Sequence, residues 1–216
     1  MLNMEFKKRL VLDTQNMPWQ NSPAAGVMRK PLERSLPESG HVSSIVRYEK
    51  GASFSEHPHP QGEEIFVLAG IFSDENGSYP AGSYLRNPPG STHAPFSVDG
   101  CELFVKLNQF NERDQKSVRI NTQANSWLQG MGGLQVMPLH EFEGEHVALV
   151  KWPVGEKFQP HRHFGGEEIL VLSGEFQDEH GKYPKHTWIR SPHMSEHFPF
   201  VEEETIILVK TGHLPI

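Results

Sequence analysis

An internal repeat constrains the fold of this chain more than any other sequence feature. At a shift of 104 residues, residues 51–106 align without a gap on residues 155–210, and 25 of the 56 aligned pairs are identical. Upstream, residues 12–15 and Trp19 match residues 120–123 and Trp127 at a shift of 108. Two copies of a unit of roughly a hundred residues predict two similar domains.

A polar stretch separates the two copies. Residues 108–116 interleave Asn, Gln, Glu, Arg and Asp, which is typical of a linker. We therefore predict domain 1 at residues 1–112 and domain 2 at residues 113–216.

Each copy is predicted to be built from short strands and turns. The chain has 17 prolines and 19 glycines, and no helical periodicity of useful length competes. Asn76-Gly77 predicts a two-residue hairpin turn with both residues at positive φ, and Gly181 marks the same turn in copy two. These features indicate an all-β fold of two small antiparallel barrels or jelly rolls. The predicted strands of copy one, each with a counterpart in copy two, are residues 42–48, 64–68, 83–86 and 103–107.

Composition excludes several classes of function. The net charge of -7, with scattered Lys and Arg, gives no basic surface for nucleic acid or an anionic membrane. No apolar run approaches the roughly 18 residues of a membrane span, and the first twelve residues do not resemble a signal peptide. The single cysteine, Cys101, cannot form an intrachain disulfide and is expected near the core. We expect a cytoplasmic protein.

Four residues of copy one form a candidate metal-ligand set. His57 and His59 lie two apart, so on a strand they project from the same face, and Pro58 between them indicates a strand end or edge. Glu63 leads an apolar row, and because burying its charge alone would be costly, a bound cation is the usual compensation. His93 follows after a loop rich in Pro and Gly.

Copy two repeats the whole set at the same spacing. An isolated H-x-H is more often a solvated or core pair than a metal site, but an in-register repetition of all four residues favours ligation. Imidazoles with one carboxylate suit first-row divalent ions, with Zn or Fe first and Mn, Ni or Cu also compatible, rather than Ca or Mg. Up to two ions per chain are expected. The second set is His161, His163, Glu167 and His197.

These residues match both conserved cupin motifs. Copy one fits G-x5-H-x-H-x3-E-x6-G from Gly51 to Gly70, followed by G-x5-P-x-G-x2-H from Gly82 to His93. The string beginning H-P-H-P-Q-G-E-E-I-F-V-L-A-G resembles, more narrowly, the cupin domain of ChrR-like anti-sigma factors. This resemblance implies tandem double-stranded β-helix barrels, each with one metal on the four residues named above.

The resemblance leaves the function open. A ChrR-type protein has a sigma-binding zinc domain with paired cysteines, which one cysteine cannot supply, so that mode of inhibition is not expected. One hypothesis is a regulatory or metal- or oxidant-sensing protein with a protein partner. Another is an iron-dependent dioxygenase acting on a diketone-like or other chelating molecule, and a third is a storage cupin with one vestigial site. The sequence identifies no catalytic residue beyond the ligands, and a homodimer is compatible with the fold.

Several other residues carry weaker predictions. Arg86 and Arg190 occupy equivalent positions and could bind an anionic substrate or make a structural hydrogen bond. In copy two, His186 and Met194 replace motif glycines, and we expect Met194 to narrow its pocket so that the two sites differ. Four further residues are expected outside the ligand sets: the histidines at 180 and 193, and the glutamates at 64 and 168.

Overall fold

The computed structural model describes residues 1–37 and 39–216. Over these residues regular structure is almost entirely β, as predicted, and the one helical element is a 3-10 turn at Thr122–Ala124. No helix in this part of the chain is long and apolar enough to cross a membrane.

The strands are short. In chain order they are β1 (Leu10–Asp13), β2 (Gln20–Asn21), β3 (Val27–Arg34), β4 (Val42–Tyr48), β5 (His57–His59), β6 (Glu63–Asp74), β7 (Gly77–Pro80), β8 (Ser83–Asn87), β9 (Ser91–His93), β10 (Cys101–Leu107), β11 (Val118–Asn121), β12 (Leu128–Gln129), β13 (Gln135–Phe142), β14 (Glu145–Trp152), β15 (His161–Arg162), β16 (Glu167–Ser173), β17 (Glu175–Asp178), β18 (Gly181–Pro184), β19 (Thr187–Ser191), β20 (Glu196–His197) and β21 (Thr205–Thr211).

The chain forms two compact units. Unit 1 consists of residues 1–4 and 17–125, and unit 2 consists of residues 5–16 and 126–216. The repeats and the units therefore differ at their ends, because each unit incorporates the leading strand of the other repeat. In unit 2, β1 pairs with β19, and in unit 1, β11 pairs with β8.

The sheets of the two units have the same strand order. In unit 1 the order is β11-β8-β6-β10-β4-β3-β2, with β7 paired to β6, and in unit 2 it is β1-β19-β16-β21-β14-β13-β12. Two-stranded ribbons, β5 with β9 and β15 with β20, carry ligand histidines in the respective units. The four strands predicted for copy one all lie within observed strands, β4, β6, β8 and β10.

Strand alternation separates an interior face from an outer face. Ile65 and Val67 of β6 are 1% and 0% exposed and join the apolar core of unit 1, as the period of two predicts. Ile169 and Val171 are their counterparts in unit 2. Cys101 starts β10 against the same core, and burial raises its pKa to about 11. This thiol is therefore neutral at ordinary pH, and its position in the core is the one predicted from sequence.

The predicted hairpin exists, but its turn is one residue earlier than expected. Asp74 pairs with Gly77, so the loop residues are Glu75 and Asn76, and neither has positive φ. The cause is local: the backbone N-H of Asn76 donates to Asp74 Oδ1 at 2.8 Å, an Asx turn that sets this geometry. Unit 2 repeats the arrangement, with His180 donating to Asp178 at 2.8 Å.

The two motif glycines replaced in copy two retain their backbone conformation. Met194 has φ of 58° and His186 has φ of 74°, against 82° at Gly90 and 84° at Gly82. Both substituted residues therefore lie in the left-handed region, which is strained for a residue with a Cβ.

We expect Met194→Gly to raise the free energy of unfolding by about 1 kcal/mol, because glycine removes the left-handed strain at a half-exposed position. Chemical denaturation of the metal-free protein measures this change. Met194→Ala is the matched control, since it shortens the side chain but keeps the Cβ, and it should not be stabilising. Equal effects of the two substitutions would contradict the strain explanation.

Candidate metal centres

The four predicted residues of copy one come together in unit 1. One potential ligand atom from each of His57, His59, Glu63 and His93 lies within 4.8 Å of the others. Two contacts define the centre of the group: His59 Nε2 and His93 Nε2 each lie 3.4 Å from Glu63 Oε2. The ribbon of β5 and β9 places His57 directly opposite His93.

Unit 2 assembles the second set in the same way. The ligand atoms of His161, His163, Glu167 and His197 also lie within 4.8 Å of one another. His197 Nε2 is 3.2 Å from His163 Nε2 and 3.3 Å from His161 Nε2, and Glu167 Oε1 is 3.3 Å from His163 Nε2.

Unsatisfied polar atoms indicate that a cation belongs in each group. His59 Nε2, His93 Nε2 and Glu167 Oε2 are buried and have no hydrogen-bond partner among the described residues. Such atoms are rare unless a ligand or ion satisfies them. Donor atoms that share one transition-metal ion lie about 3.0–3.4 Å apart, close to the shortest distances between donor atoms in these two groups.

Burial favours the neutral, metal-binding form of a histidine in each unit. Burial lowers the pKa of His59, and it lowers the pKa of His163 to about 3, so both imidazoles are neutral at ordinary pH. Burial raises the pKa of Glu167 to about 7. A bound divalent ion would favour the ionised form of this carboxylate, and neutral imidazoles are the ligating form of histidine.

A second carboxylate stands behind one histidine in each unit. Asp74 Oδ2 lies 3.6 Å from His93 Nδ1, and Asp178 Oδ2 lies 3.7 Å from His197 Nδ1. Burial alone would raise the pKa of Asp178, but its interactions with His197 and Tyr183 outweigh burial and lower the pKa to about 2. An ionised aspartate behind a ligand imidazole fixes the ring tautomer and orientation.

These two aspartates are not among the site residues predicted from sequence. They are present in the repeat as the D of F-x-D-E, so a search of the repeat for invariant carboxylates would have found them.

In each unit, an arginine from the leading segment of a repeat hydrogen-bonds a residue that contacts the ligand cluster. In unit 1, Arg119 of β11 donates to Asn87 Oδ1, and Asn87 Nδ2 donates to Glu63 Oε2 at 2.7 Å. In unit 2, Arg9 donates to Asp178 at 2.8 Å and to the Tyr183 hydroxyl at 2.7 Å. The leading segment of each repeat, residues 5–16 for Arg9 and β11 for Arg119, thus supports a residue that contacts the ligand cluster of the unit that it joins.

We expect Asp74→Asn to weaken metal binding in unit 1 by about 10- to 100-fold, because the neutral amide no longer fixes the His93 ring as an ionised partner. The affinity is measured by competition with a chelating dye in a His161→Ala background, which leaves one complete ligand set. Asp99→Asn is the matched control, since the Asp99 side chain is 74% exposed. Equal affinities of the Asp74 variant and its parent would show that Asp74 does not support the site.

Each candidate centre faces an apolar cavity within its own unit. The cavity of unit 1 (cavity 1) has a volume of about 310 Å³ and includes His57 and Glu63 in its lining. The cavity of unit 2 (cavity 2) is smaller, about 230 Å³, and includes Glu167. Tyr48 lines cavity 1 and its counterpart Trp152 lines cavity 2, so the larger ring contributes to the difference.

Met194 does not cause the smaller volume of cavity 2. Its side chain is 46% exposed and is not part of the lining of cavity 2. At Gly90, the equivalent position, an added Cβ would meet no atom within 4 Å. The prediction that Met194 narrows the pocket is therefore wrong, because this turn points its side chain towards solvent.

The structure places Arg86 in a buried ion network. Its guanidinium donates to Glu64 and Asp114, both at 2.6 Å, and lies 3.7 Å from the centroid of the Phe110 ring. Glu64 pairs with Arg86 across β6 and β8. Because the neighbouring Glu63 points to the metal cluster, alternation directs Glu64 and Arg86 to the opposite face of the sheet.

Arg190 has a similar environment in unit 2. It is 1% exposed, donates to the Glu5 carbonyl at 3.1 Å and lies 4.6 Å from the centroid of the Phe6 ring. Glu168 accepts from Trp188 Nε1 and contacts His213 Nε2, each at 2.7 Å. Neither arginine is part of the lining of a cavity described above.

Two tandem β-barrel units, each with a three-histidine, one-glutamate cluster at an apolar cavity, define a bicupin able to bind two metal ions. Comparison with family models identifies the family. The model of the ChrR Cupin-like domain matches residues 7–111 and, a second time, residues 115–215. The chain belongs to this family, and the tandem cupin fold predicted from sequence is confirmed. No curated protein matches the sequence significantly.

Solved structures share the fold at low sequence identity. A putative dioxygenase from Nostoc punctiforme is 14% identical with a TM-score of 0.79, covering 95% of this chain and 82% of that one. A bacterial pirin from Escherichia coli, in complex with nickel(II), is 14% identical with a TM-score of 0.70, covering 96% and 99%. Oxalate decarboxylase from Bacillus subtilis, whose structure concerns Mn(II) centres, is 13% identical with a TM-score of 0.65, covering 95% and 78%.

Proposed function

We propose that this protein holds one divalent transition-metal ion in each unit and uses the ion in unit 1 to react with a small chelating molecule. The observation that carries the proposal is that His57 and Glu63 belong both to the ligand cluster and to the lining of cavity 1. A molecule in this cavity would therefore reach the metal directly. A volume of about 310 Å³ lies at the lower end of the range for ligand pockets, which favours a compact substrate.

The reaction class that we favour is oxygenation. Iron would supply the redox chemistry with dioxygen, whereas zinc would supply only a Lewis acid. Three histidines and one glutamate would hold the ion, and the apolar walls, including Phe54 and Phe72, would exclude water from the bound molecule. The similarity of the fold to a putative dioxygenase supports this class without identifying a substrate.

Oxygen consumption by reconstituted protein tests the proposal. The purified protein is stripped of metal, loaded anaerobically with Fe(II), Mn(II), Ni(II) or Zn(II), and mixed with a panel of β-diketones at an oxygen electrode. We expect oxygen uptake with Fe(II) and none with Zn(II). His57→Ala should abolish uptake, and the matched variant His161→Ala should retain uptake from cavity 1. No uptake by fully loaded iron protein with any member of the panel would count against oxygenation of diketones.

The family assignment favours a second candidate, a regulatory metal- or oxidant-sensing role. The matched domain is named for ChrR, and both copies match it. For such a role, we expect zinc loading or treatment with peroxide to change how strongly the backbone amides near the clusters are protected from hydrogen exchange. Hydrogen-exchange measurements would detect this change. A cytoplasmic location, a protein partner and a homodimer stay predictions under either function.

A further inference from the structure

We propose that the two metal centres fill in order, unit 1 before unit 2, and that Asn87 is the positioning residue responsible. The inference rests on the proposed function, because it concerns how strongly each cluster holds its ion. It starts from a difference between the two ligand glutamates. Asn87 Nδ2 donates to Glu63 Oε2 at 2.7 Å, whereas Glu167 Oε2 is buried and has no hydrogen-bond partner among the described residues.

The same strand register places a different residue beside each glutamate. Glu63 of β6 pairs with Asn87 of β8, and Glu167 of β16 pairs with Ser191 of β19. Asn87 and Ser191 are both buried. The serine side chain is shorter than that of asparagine, and the unpartnered Glu167 Oε2 shows that its hydroxyl does not replace the amide. The repeats thus differ in the donor that holds the ligand carboxylate.

Arg119 fixes which end of the Asn87 amide faces the ligand. Its guanidinium donates to Asn87 Oδ1. Because a guanidinium only donates, the amide oxygen must face Arg119 and the amide nitrogen must face Glu63. Arg119 is itself held by the backbone carbonyls of Arg86 and Val118, at 2.9 and 2.8 Å. The donor to Glu63 is therefore oriented before an ion binds.

Unit 2 lacks both members of this arginine–asparagine pair. The register position that Arg119 has in β11 is occupied in β1 by Val11, whose partner is Ile189. Leu85, the partner of Arg119, aligns with Ile189 at the shift of 104. Valine cannot donate a side-chain hydrogen bond, and Ser191 has no amide to orient. The two differences coincide, so the whole pair is specific to unit 1.

Unit 2 has a supporting arginine of its own, but that arginine acts further from the ion. Arg9 donates to Asp178, whose Oδ2 lies 3.7 Å from His197 Nδ1. Asn87 instead donates to a candidate ligand atom itself, Glu63 Oε2, which lies 3.4 Å from two ligand histidine nitrogens. An aspartate stands behind a ligand histidine in both units, so the donor to the glutamate is the larger difference between them.

An order of loading follows from this difference. A hydrogen bond that holds a ligating carboxylate in position favours metal binding, and its loss typically weakens binding by about 10- to 100-fold. We therefore expect unit 1 to bind its ion about tenfold or more tightly than unit 2. When metal is scarce, the ion would occupy the unit with the larger cavity, where the proposed reaction takes place.

Zinc titrations of two single-site proteins test the order. Single-site protein 1 carries His161→Ala and His197→Ala, and single-site protein 2 carries His57→Ala and His93→Ala. Competition with a chelating dye measures the dissociation constant of each, which we expect to be lower for protein 1 by about tenfold or more. Asn87→Ser should raise the constant of protein 1 by a similar factor. In protein 2 the same substitution is the matched control and should change nothing.

Two further variants separate positioning from folding. Arg119→Val should weaken zinc binding by single-site protein 1, because the Asn87 amide loses the partner that orients it. Val11→Arg with Ser191→Asn rebuilds the pair in single-site protein 2 and should lower its dissociation constant, a gain that a merely structural role would not produce. Chemical denaturation of the metal-free proteins shows whether a change in zinc affinity is accompanied by a change in folding stability.

Equal dissociation constants of the two single-site proteins, tighter binding by protein 2, or an unchanged constant after Asn87→Ser would overturn the inference and leave the proposed function standing. No zinc binding by either protein would overturn both. Ordered zinc binding in a protein whose iron-loaded form takes up no oxygen would refute the proposed reaction and retain the inference.

Discussion

His93→Ala is expected to lower the metal content of the protein from two equivalents per chain to one, because two clusters are present and His93 belongs to one. The histidine is 3% exposed, and its Nε2 has no hydrogen-bond partner in the part of the chain described. The substitution deletes one of the four ligands of unit 1. The buried Glu63 carboxylate also loses its contact with His93 Nε2. Elemental mass spectrometry of tag-free protein, purified without chelator, measures the change.

The control for this variant is another histidine in the same molecule. His180→Ala removes a half-exposed imidazole that is not part of either cluster, so two equivalents should remain. His197→Ala should reproduce the loss in unit 2, and the double variant should contain no metal. Two equivalents in the His93 variant, or no metal in reconstituted wild type, would refute the assignment of the clusters as metal centres.

Metal loss should also be visible as lost stability. A ligand that binds only the folded state raises the free energy of unfolding by about 2.7 kcal/mol when its free concentration is a hundred times its dissociation constant. We therefore expect a chelator to lower the melting temperature of wild type and to have a smaller effect on the His93 variant. Because the two units need not unfold together, the transitions are best followed by calorimetry.

The ligand sets could be predicted from sequence because the chain contains two copies of the same repeat, which can be compared with each other. An H-x-H pair alone carries little information, but two copies preserve the spacing of all four ligands while neighbouring positions differ. The strand period then places Glu63, Ile65 and Val67 on one face, which the structure bears out. These features depend on local periodicity and on the repeat.

Features that depend on long-range pairing were not accessible from the sequence. Nothing in residues 10–13 indicates that β1 pairs with β19 rather than within its own repeat. The stretch 108–116 has the composition of a polar linker, yet it contains Phe110 and Asp114, which are buried at 7% and 3% exposure. The environment of Arg86 depends on both, so the sequence could not decide between its substrate-binding and structural alternatives.

Arg86→Met is expected to lower the free energy of unfolding by about 3–5 kcal/mol, because it leaves two buried carboxylates without their shared cation. Arg86 is 0% exposed, and its partners Glu64 and Asp114 are 4% and 3% exposed. Neither carboxylate can reach solvent without disturbing the strand pairs or the 108–116 segment. Chemical denaturation of metal-loaded and metal-free protein measures the loss.

Two further variants separate the explanations for this arginine. Arg47→Met breaks an ion pair with Glu102 whose side chains are 41% and 32% exposed, and it should cost at most about 1 kcal/mol. The triple variant Arg86→Met, Glu64→Leu, Asp114→Asn removes all three charges together and should recover much of the stability, because buried charges are costly mainly when unpaired. If Arg86→Met were as stable as wild type and lost only small-molecule binding, Arg86 would be a substrate ligand and the buried network incidental.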